Sequence, residues 1–191
     1  MAAVSGTTLA TVLVLLAAGL VLWTAWAFNR LVRAKNLMRE GWSGVDVQLK
    51  RRQDLVPSIV EVVKGYARHE RGLLERVTEL RAGPPPDAGD LSRTQDHQNA
   101  LTDQLKRMFA LAEAYPEIKA DSSYLRLQGL LAEIEDQIQM ARRYYNGAVR
   151  EYNIRAESFP GNLVARVAGF RPAAFFQIET ATICAAPAVE V

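Results

Sequence analysis

The chain has few of the residues on which disulfide, thiol and histidine chemistry depend. Its 191 residues include one cysteine, Cys184, and two histidines, His69 and His97. A single cysteine excludes an intramolecular disulfide and any metal or redox site that requires several thiolates. The formal net charge of +2 is too small to indicate a nucleic-acid partner. These absences exclude several classes of protein but identify none.

Charged side chains are also absent from the first 29 residues, although the whole chain has 23 Lys and Arg and 21 Asp and Glu. As a helix, residues 7–28 extend about 33 Å, which is enough to cross a hydrocarbon core of about 30 Å. We therefore expect a short extracytoplasmic N-terminus at 1–6 and a transmembrane helix at 7–28. The rest of the chain has an ordinary globular composition, so the mean hydropathy of −0.05 averages two different segments.

Aromatic and basic residues follow one another at the C-terminal end of the apolar segment. The candidates for the membrane interface are Trp23, Trp26, Phe28, Arg30, Arg33, Lys35 and Arg39. Aromatic rings favour the headgroup region, and a basic flank favours the cytoplasmic side, so we expect the N-terminus outside and the rest inside. A cleaved signal peptide, with Ala25-Trp26-Ala27 as its cleavage site, is the alternative. It is disfavoured because residues 1–6 contain no Lys or Arg.

Beyond the apolar segment, apolar residues recur in steps of three and four, which is the period of an amphipathic helix. Such series run over 38–80, 101–115 and 127–152. We therefore predict an all-α fold, in which the transmembrane helix is followed by an antiparallel four-helix bundle at 29–156. The expected helices lie at about 30–53, 55–81, 91–115 and 122–156.

Pro57 leaves two alternatives open for the first long series. If Asp54 caps a new helix, Pro57 lies in its first turn, where the missing N–H does no harm. Otherwise Pro57 kinks one long helix, and the bundle has three helices instead of four. The break is the favoured alternative.

The ends of the other helices are marked by residues that do not continue a helix. Glycine and proline at 83–89 separate the first series from the second, and Asp121 or Ser122 is the expected N-cap of the last long helix. We expect a turn and a short helix at 157–178 that pack on the bundle. Residues 179–191, which include Cys184, are expected to form a flexible tail.

Two charged residues, Arg52 and Glu70, interrupt the first apolar series. On one helix they would be about 27 Å apart, so each needs a partner on another helix. The candidate partners are Glu135, Asp136, Arg142 and Arg143. We expect a register-fixing or rim-exposed ion pair, with a functional switch as the alternative.

A Tyr-Asn pair occurs twice, at Tyr145-Asn146 and at Tyr152-Asn153, seven residues apart on one predicted helix face. Interior hydrogen bonds that set helix register are the first interpretation, and a strip that recognises a partner is the second. The full set of structural or assembly candidates is Trp42, Arg52, Pro57, Tyr66, Glu70, Tyr145, Asn146, Tyr152, Asn153, Phe175 and Phe176.

Several separated blocks of residues resemble the LemA family. They include Asn29-Arg30-Leu31-Val32, Trp42-Ser43, Val45-Asp46-Val47-Gln48-Leu49-Lys50-Arg51-Arg52, Asp54-Leu55-Val56-Pro57, Gly65-Tyr66-Ala67, Tyr115-Pro116, Tyr145-Asn146, Tyr152-Asn153, Phe159-Pro160 and Phe175-Phe176. The resemblance covers roughly residues 28–178. It implies a single-pass protein of the bacterial inner membrane with a helical bundle in the cytoplasm, and it implies no established enzymatic activity.

The residues themselves indicate no catalytic, cofactor or metal site. A carboxylate metal site in a bundle requires a Glu three residues before a His, but Tyr66 and Thr94 stand at those positions before His69 and His97. The chain also lacks the glycine-rich phosphate loop, the dinucleotide motif and the nucleophile elbow. We therefore predict that the protein is not an enzyme.

Two non-enzymatic functions fit these features. The first is self-assembly into a homo-oligomer that serves as a structural scaffold or membrane organiser. Its candidate contacts between copies are Trp42, Tyr144, Tyr152, Phe175 and Phe176. The second is an adaptor or regulator that presents the bundle to another membrane-associated protein, such as a protease or sensor. The lipid bilayer is an expected partner in both cases.

Overall fold

A computed structural model of the chain describes residues 6–66, 71–83 and 86–178. Its regular elements are helices, which confirms the predicted all-α class. They are α1 (Gly6–Tyr66), α2 (Arg71–Arg81), α3 (Leu91–Glu113), α4 (Pro116–Lys119), α5 (Ser122–Glu157) and α6 (Gly161–Val167). The expected flexible tail at 179–191 lies outside the described residues.

The favoured break before Pro57 is wrong, because α1 is one helix of 61 residues that contains this proline. The side chain of Pro57 is exposed, whereas Val56 and Ile59 beside it are buried. The helix therefore loses one backbone hydrogen bond at an exposed position but keeps its apolar face packed. The alternative in which Pro57 lies within a long helix is the one that the structure shows.

The boundaries expected at 30–53 and 55–81 are wrong for the same reason. The first long helix ends at Tyr66, and α2 begins at Arg71. Glu70 and His69 lie between them, outside the described residues. The bounds of α3 and α5 agree with the sequence expectation to within two residues, which is the usual uncertainty of helix ends.

The chain divides into two compact units. The second unit comprises the described residues of 40–146 together with 175–178. In it α1 and α5 run antiparallel, since Gly41 faces Tyr145 while Arg52 pairs with Glu135. Each of the five helices α1 to α5 contributes fully buried side chains to the core of this unit. Among them are Ile59, Val63, Val77, Leu101, Leu105, Met108, Ile118 and Leu131.

The first unit comprises residues 6–39 and 147–174. Its core is small and lies where the apolar segment of α1 ends, and it consists of Ala27, Leu31, Ala156, Val164 and Ala165. The short helix α6 supplies two of these five side chains. Within this unit α6 thus packs on the last turns of the apolar segment.

Gly169 ends α6 in the left-handed conformation, with φ of 73°. The amide of Phe170 then donates to the carbonyl of Ala165 at 2.9 Å, and the amide of Gly169 donates to the carbonyl of Arg166 at 3.3 Å. This is the Schellman arrangement, which requires a positive φ that glycine adopts without strain. It directs the ring of Phe170 back towards α1, where it meets Phe28 with 5.7 Å between centroids.

Candidate functional site

The apolar part of α1 exposes nearly all of its side chains between residues 8 and 28. Its mean hydropathy reaches 2.2 over 18 residues, and none of that window is buried against protein. Of the described residues, this is the one helix long and apolar enough to cross a membrane. A soluble protein would not leave so large an apolar surface in water, so the segment indicates a membrane anchor.

The basic flank of this segment begins at Arg30, between Ala27 and Leu31 of the small core of the first unit. Arg30, Arg33 and Arg39 are exposed, as expected for residues that meet headgroups. The Arg30 guanidinium lies over the Trp26 ring at 5.3 Å from its centroid, and Lys35 Nζ lies 5.5 Å from that of Phe170. Cations therefore lie against aromatic rings at the expected interface. Trp23 is half-buried beside the small core and is not wholly available to lipid.

Arg52 is fully buried in the second unit and connects three helices. Its Nη1 donates to Glu135 Oε1 on α5 at 2.9 Å and to Thr102 Oγ1 on α3 at 3.0 Å. Its Nη2 donates to the carbonyl oxygen of Gln98 at 3.3 Å and also to the Gln98 side chain. The expected buried pairing is confirmed, with Glu135 as the partner among the four candidates. Such a cluster fixes the register of the helices because each donor needs its own acceptor.

An aromatic cluster lies one short stretch earlier on α1. Trp42 meets Tyr145 at 5.4 Å and Phe176 at 5.2 Å between ring centroids, both edge to face. Gly41 permits this close approach, because a Cβ there would lie 3.1 Å from Tyr145 Cα. All three aromatic side chains are buried, and burial raises the pKa of the Tyr145 phenol.

Asn146 holds the non-helical segment 175–178 in the second unit. Its Nδ2 donates to the Phe176 carbonyl at 2.9 Å, and its Oδ1 accepts from the Phe176 amide at 2.9 Å. Arg142 adds a bond to the Ile178 carbonyl at 2.8 Å. Both main-chain hydrogen-bonding groups of one residue are thus satisfied by one side-chain amide.

Asn153 makes the same two-way contact within the first unit. Its Nδ2 donates to the Ala173 carbonyl at 2.9 Å, and its Oδ1 accepts from the Ala173 amide at 2.8 Å. The Tyr152 hydroxyl donates to the Arg171 carbonyl at 2.8 Å, and burial raises the pKa of this phenol. The two asparagines do form internal hydrogen bonds, but their partners are main-chain groups of 171–178 and not another helix.

Tyr66 and Asp121 join the end of α1 to the start of α5. The Tyr66 hydroxyl donates to Asp121 Oδ2 at 2.9 Å. Asp121 is also the expected N-cap, since its Oδ1 accepts from the amides of Ser123 at 2.8 Å and Tyr124 at 3.0 Å. The hydrogen bond from the Tyr124 amide lowers the pKa of Asp121 most, and the hydrogen bond from the Tyr66 hydroxyl lowers it further. The same hydrogen bond and the negative charge of Asp121 raise the pKa of Tyr66.

The aromatic residues proposed as contacts between copies differ in exposure. Trp42, Tyr152 and Phe176 are buried within their own units, so they are wrong as surface contacts. Tyr144 and Phe175 are 52% and 44% exposed and remain available. Their exposure is not visible in the sequence, because an aromatic residue at helical spacing has the same pattern in a core and in an interface.

Sequence reasoning missed Gln98 and Thr102 as partners of Arg52. A signal was present, because Gln98 and Thr94 continue the apolar series of α3 backwards from Leu101 by steps of three and four. All of these side chains are buried. Polar residues in buried register indicate an internal polar cluster, and Arg52 in the register of α1 required one.

The described ranges 6–66, 71–83 and 86–178 hold no group of three or more His, Cys, Asp or Glu side chains that would bind a metal ion. Glu70, the second charge in the first apolar series, lies outside those ranges. No chemistry is assigned to either residue of the His69-Glu70 pair.

A family model described as LemA family matches residues 41–191 of the chain. Magnetosome protein MamQ 2 of Paramagnetospirillum magneticum is 27% identical, over 71% of this chain and 59% of the relative. Protein LemA of Metamycoplasma hominis is 24% identical, over 78% of this chain and 68% of the relative. Magnetosome protein MamQ of Magnetospirillum gryphiswaldense is 23% identical, over 70% of this chain and 58% of the relative. The chain therefore spans less than two thirds of the length of these magnetosome proteins.

Proposed function

Since the chain belongs to the LemA family, we propose that it is a non-enzymatic, membrane-anchored helical protein that acts by self-assembly. Its task is that of a structural scaffold or membrane organiser in the bacterial inner membrane. The anchor is the apolar part of α1, and the assembling part is the helical second unit. Residues of α1 belong to both parts, so an assembly of the second unit gathers anchors in the membrane.

The orientation follows from the charges beside the anchor. Four cations lie between Arg30 and Arg39, and residues 1–6 carry no charged side chain. The positive-inside bias places the N-terminus outside and the helical bundle in the cytoplasm. In intact cells, an impermeant thiol reagent should label a Ser5→Cys variant at its new cysteine but leave native Cys184 unlabelled. The reverse labelling would overturn the orientation.

The observation that carries self-assembly is the exposed apolar surface of the second unit. Met140 and Tyr144 are one turn apart on the same face of α5, and they are 46% and 52% exposed. Phe175 is 44% exposed, next to the buried Phe176. Aromatic residues and methionine are enriched in protein interfaces relative to the rest of the protein surface. A second copy of the chain would remove these side chains from water.

The test compares the full chain with a Met140→Ser/Tyr144→Ser/Phe175→Ser variant in mild detergent and after crosslinking in membranes. The matched control is Leu125→Ser/Leu130→Ser, which removes side chains that are 50% and 41% exposed on the same helix. We expect oligomers from the native chain and the control, and a shift to monomers in the variant. A native chain that is monomeric in both detergent and membranes would overturn the proposal.

An adaptor for another membrane-associated protein is the second candidate. The observation that favours it is an exposed basic pair, Lys50 and Arg51, beside the buried Arg52 on α1. Asn146, which the second interpretation of the Tyr-Asn repeat placed in a partner-recognition strip, is instead hydrogen-bonded to Phe176. A stoichiometric protein partner that is recovered from membranes and lost in a Lys50→Ser/Arg51→Ser variant would favour this function over self-assembly.

A further inference from the structure

The turn before α6 and α6 itself expose three large apolar side chains. Phe159 is 80% exposed, Leu163 is 54% exposed and Val167 is 92% exposed. Leu163 and Val167 are four residues apart, so they lie on one face of α6. Phe159 and Val167 are more exposed than any large apolar side chain of the membrane segment, where the highest value is 72%.

α6 packs on α1 at the end of the apolar segment. The opposite side of α6 is buried, and its Val164 and Ala165 pack in one cluster with Ala27 and Leu31 of α1. Ala27 belongs to the uncharged segment, and Leu31 directly follows Arg30, which is the first charged residue of the chain. α6 therefore packs where the uncharged segment of α1 gives way to its basic flank.

The side chains around this contact are typical of a headgroup region. Trp26 and Phe28 remain 58% and 41% exposed on α1, and Phe28 touches Phe170 directly after α6. Arg166 and Arg171 are exposed near the end of α6 and add to the basic flank of α1. One exposed acid, Glu157, precedes the turn. The balance is cationic, which favours anionic lipid.

We propose that Phe159, Leu163 and Val167 insert into the headgroup boundary of the leaflet from which α1 emerges. α6 is then a second, interfacial membrane contact, and anionic lipid is its ligand. Lipid is the occupant because α6 packs, through the buried Ala27 and Leu31, on the end of an apolar segment whose own side chains are exposed. The inference rests on the membrane anchor of the proposed function and does not depend on self-assembly.

The experiment uses the full chain with Cys184→Ser and single cysteines labelled with bimane. The chain is reconstituted in vesicles of phosphatidylcholine and phosphatidylglycerol that contain nitroxide-labelled lipid. The test positions are Leu163→Cys and Val167→Cys. Ala174→Cys is an exposed control in the same unit, and Leu15→Cys reports on the membrane span itself.

We expect nitroxide near the headgroup to quench the labels at Leu163 and Val167 severalfold more than the label at Ala174. Quenching should weaken when phosphatidylglycerol is omitted. A further Phe159→Ser change, at a side chain that supports no core, should weaken quenching at Leu163 without loss of helicity. The proposal is overturned if the label at Leu15 is quenched but the labels at Leu163 and Val167 are quenched no more strongly than the label at Ala174.

Two other outcomes would also overturn it, for different reasons. If quenching at Val167 falls as more protein is added per lipid, a second copy of the chain covers the surface. If the label at Leu15 is not quenched by acyl-chain nitroxide, the membrane anchor is absent, and the first part of the proposed function fails with this inference. A chain that is monomeric but quenched at Leu163 would refute self-assembly alone.

Discussion

The guanidinium of Arg52 donates to the carboxylate of Glu135 at 2.9 Å, and the two side chains are 0% and 6% exposed. The pair joins α1 to α5 across the core of the second unit. Hydrogen bonds from Arg52 to Thr102 and Gln98 include α3 in the same cluster. A buried pair of this kind stabilises only while both partners are present, because a lone buried charge has no solvent to compensate it.

Arg52→Met should therefore destabilise the chain by about 3–5 kcal/mol, since Glu135 is left buried without its partner. Chemical denaturation in mild detergent measures the effect. The control is Arg76→Met, which removes an ion pair to Glu79 whose side chains are 65% and 67% exposed. It should change the free energy of unfolding by less than about 1 kcal/mol. An Arg52→Met/Glu135→Leu variant should recover most of the loss, and equal effects at Arg52 and Arg76 would contradict the role assigned to the cluster.

Gly41 and Gly44 offer a matched pair on the same helix. At Gly44 a Cβ meets nothing within 4 Å, so Gly44→Ala should stabilise α1 by about 0.5–1 kcal/mol through helix propensity. At Gly41 a Cβ would meet Tyr145 Cα at 3.1 Å and Tyr144 Cδ1 at 3.2 Å. Overpacking against backbone typically costs about 1–3 kcal/mol, so Gly41→Ala should be less stable than Gly44→Ala by that amount. Thermal unfolding that ranks the two variants equally would show that α1 and α5 are not in close contact there.

The helical period predicted most of this fold because the long helices each bury one continuous apolar face. The register of α1 also identified Arg52 as a buried charge, and Glu135 was among its expected partners. Pro57 was misplaced since its local effect is one hydrogen bond, whereas Val56 and Ile59 hold the helix through tertiary packing. A local rule gives no measure of that packing.

The segment 171–178 could not be placed from the sequence. It has no helical or strand period, and its hydrogen bonds are made by main-chain groups that the side chains of Asn146 and Asn153 recognise. Main-chain hydrogen bonding leaves no mark in residue type. The burial of Phe176 and the exposure of Phe175 follow from that placement.

Asp121 should make stability depend on pH at the acidic side. Its pKa is lowered in the folded chain, first by the Tyr124 amide and then by the Tyr66 hydroxyl. Its contribution to the stability of the folded chain is therefore present above pH 3.8, the ordinary pKa of the group. The contribution is lost as the pH falls through the lowered pKa of the folded state. Asp121→Asn should flatten the fall in melting temperature between neutral and acidic pH. An unchanged acid dependence in this variant would contradict the assignment.

Tyr66 gives the complementary dependence at the alkaline side. Its pKa is raised above 10.0, chiefly by its hydrogen bond to Asp121. The contribution of Tyr66 to stability is present below pH 10.0, the ordinary pKa of the group. It is lost as the pH rises through the raised pKa of the folded state. In Asp121→Asn, spectrophotometric titration should place the Tyr66 transition at lower pH than in the native chain, with Tyr66→Phe identifying the signal. No difference in that transition would show that the two groups do not interact.

Asn146→Ala should release the segment that follows residue 174 in the second unit. Both hydrogen bonds to the main chain of Phe176 disappear, and we expect a loss of about 1–3 kcal/mol in unfolding free energy. Hydrogen exchange at the Phe176 amide should accelerate. Asn36→Ala, at an exposed position of α1, is the matched control and should leave that amide unchanged. Unchanged protection of Phe176 in Asn146→Ala would contradict the contact.

The number of full-length copies in one assembly, counted in a native membrane, decides whether this LemA-family chain acts by self-assembly. Single-molecule photobleaching of a fluorescently tagged chain gives that number directly. We predict several bleaching steps per spot, reduced to one by Met140→Ser/Tyr144→Ser/Phe175→Ser and unchanged by Leu125→Ser/Leu130→Ser. Single steps for the native chain at every expression level would contradict self-assembly.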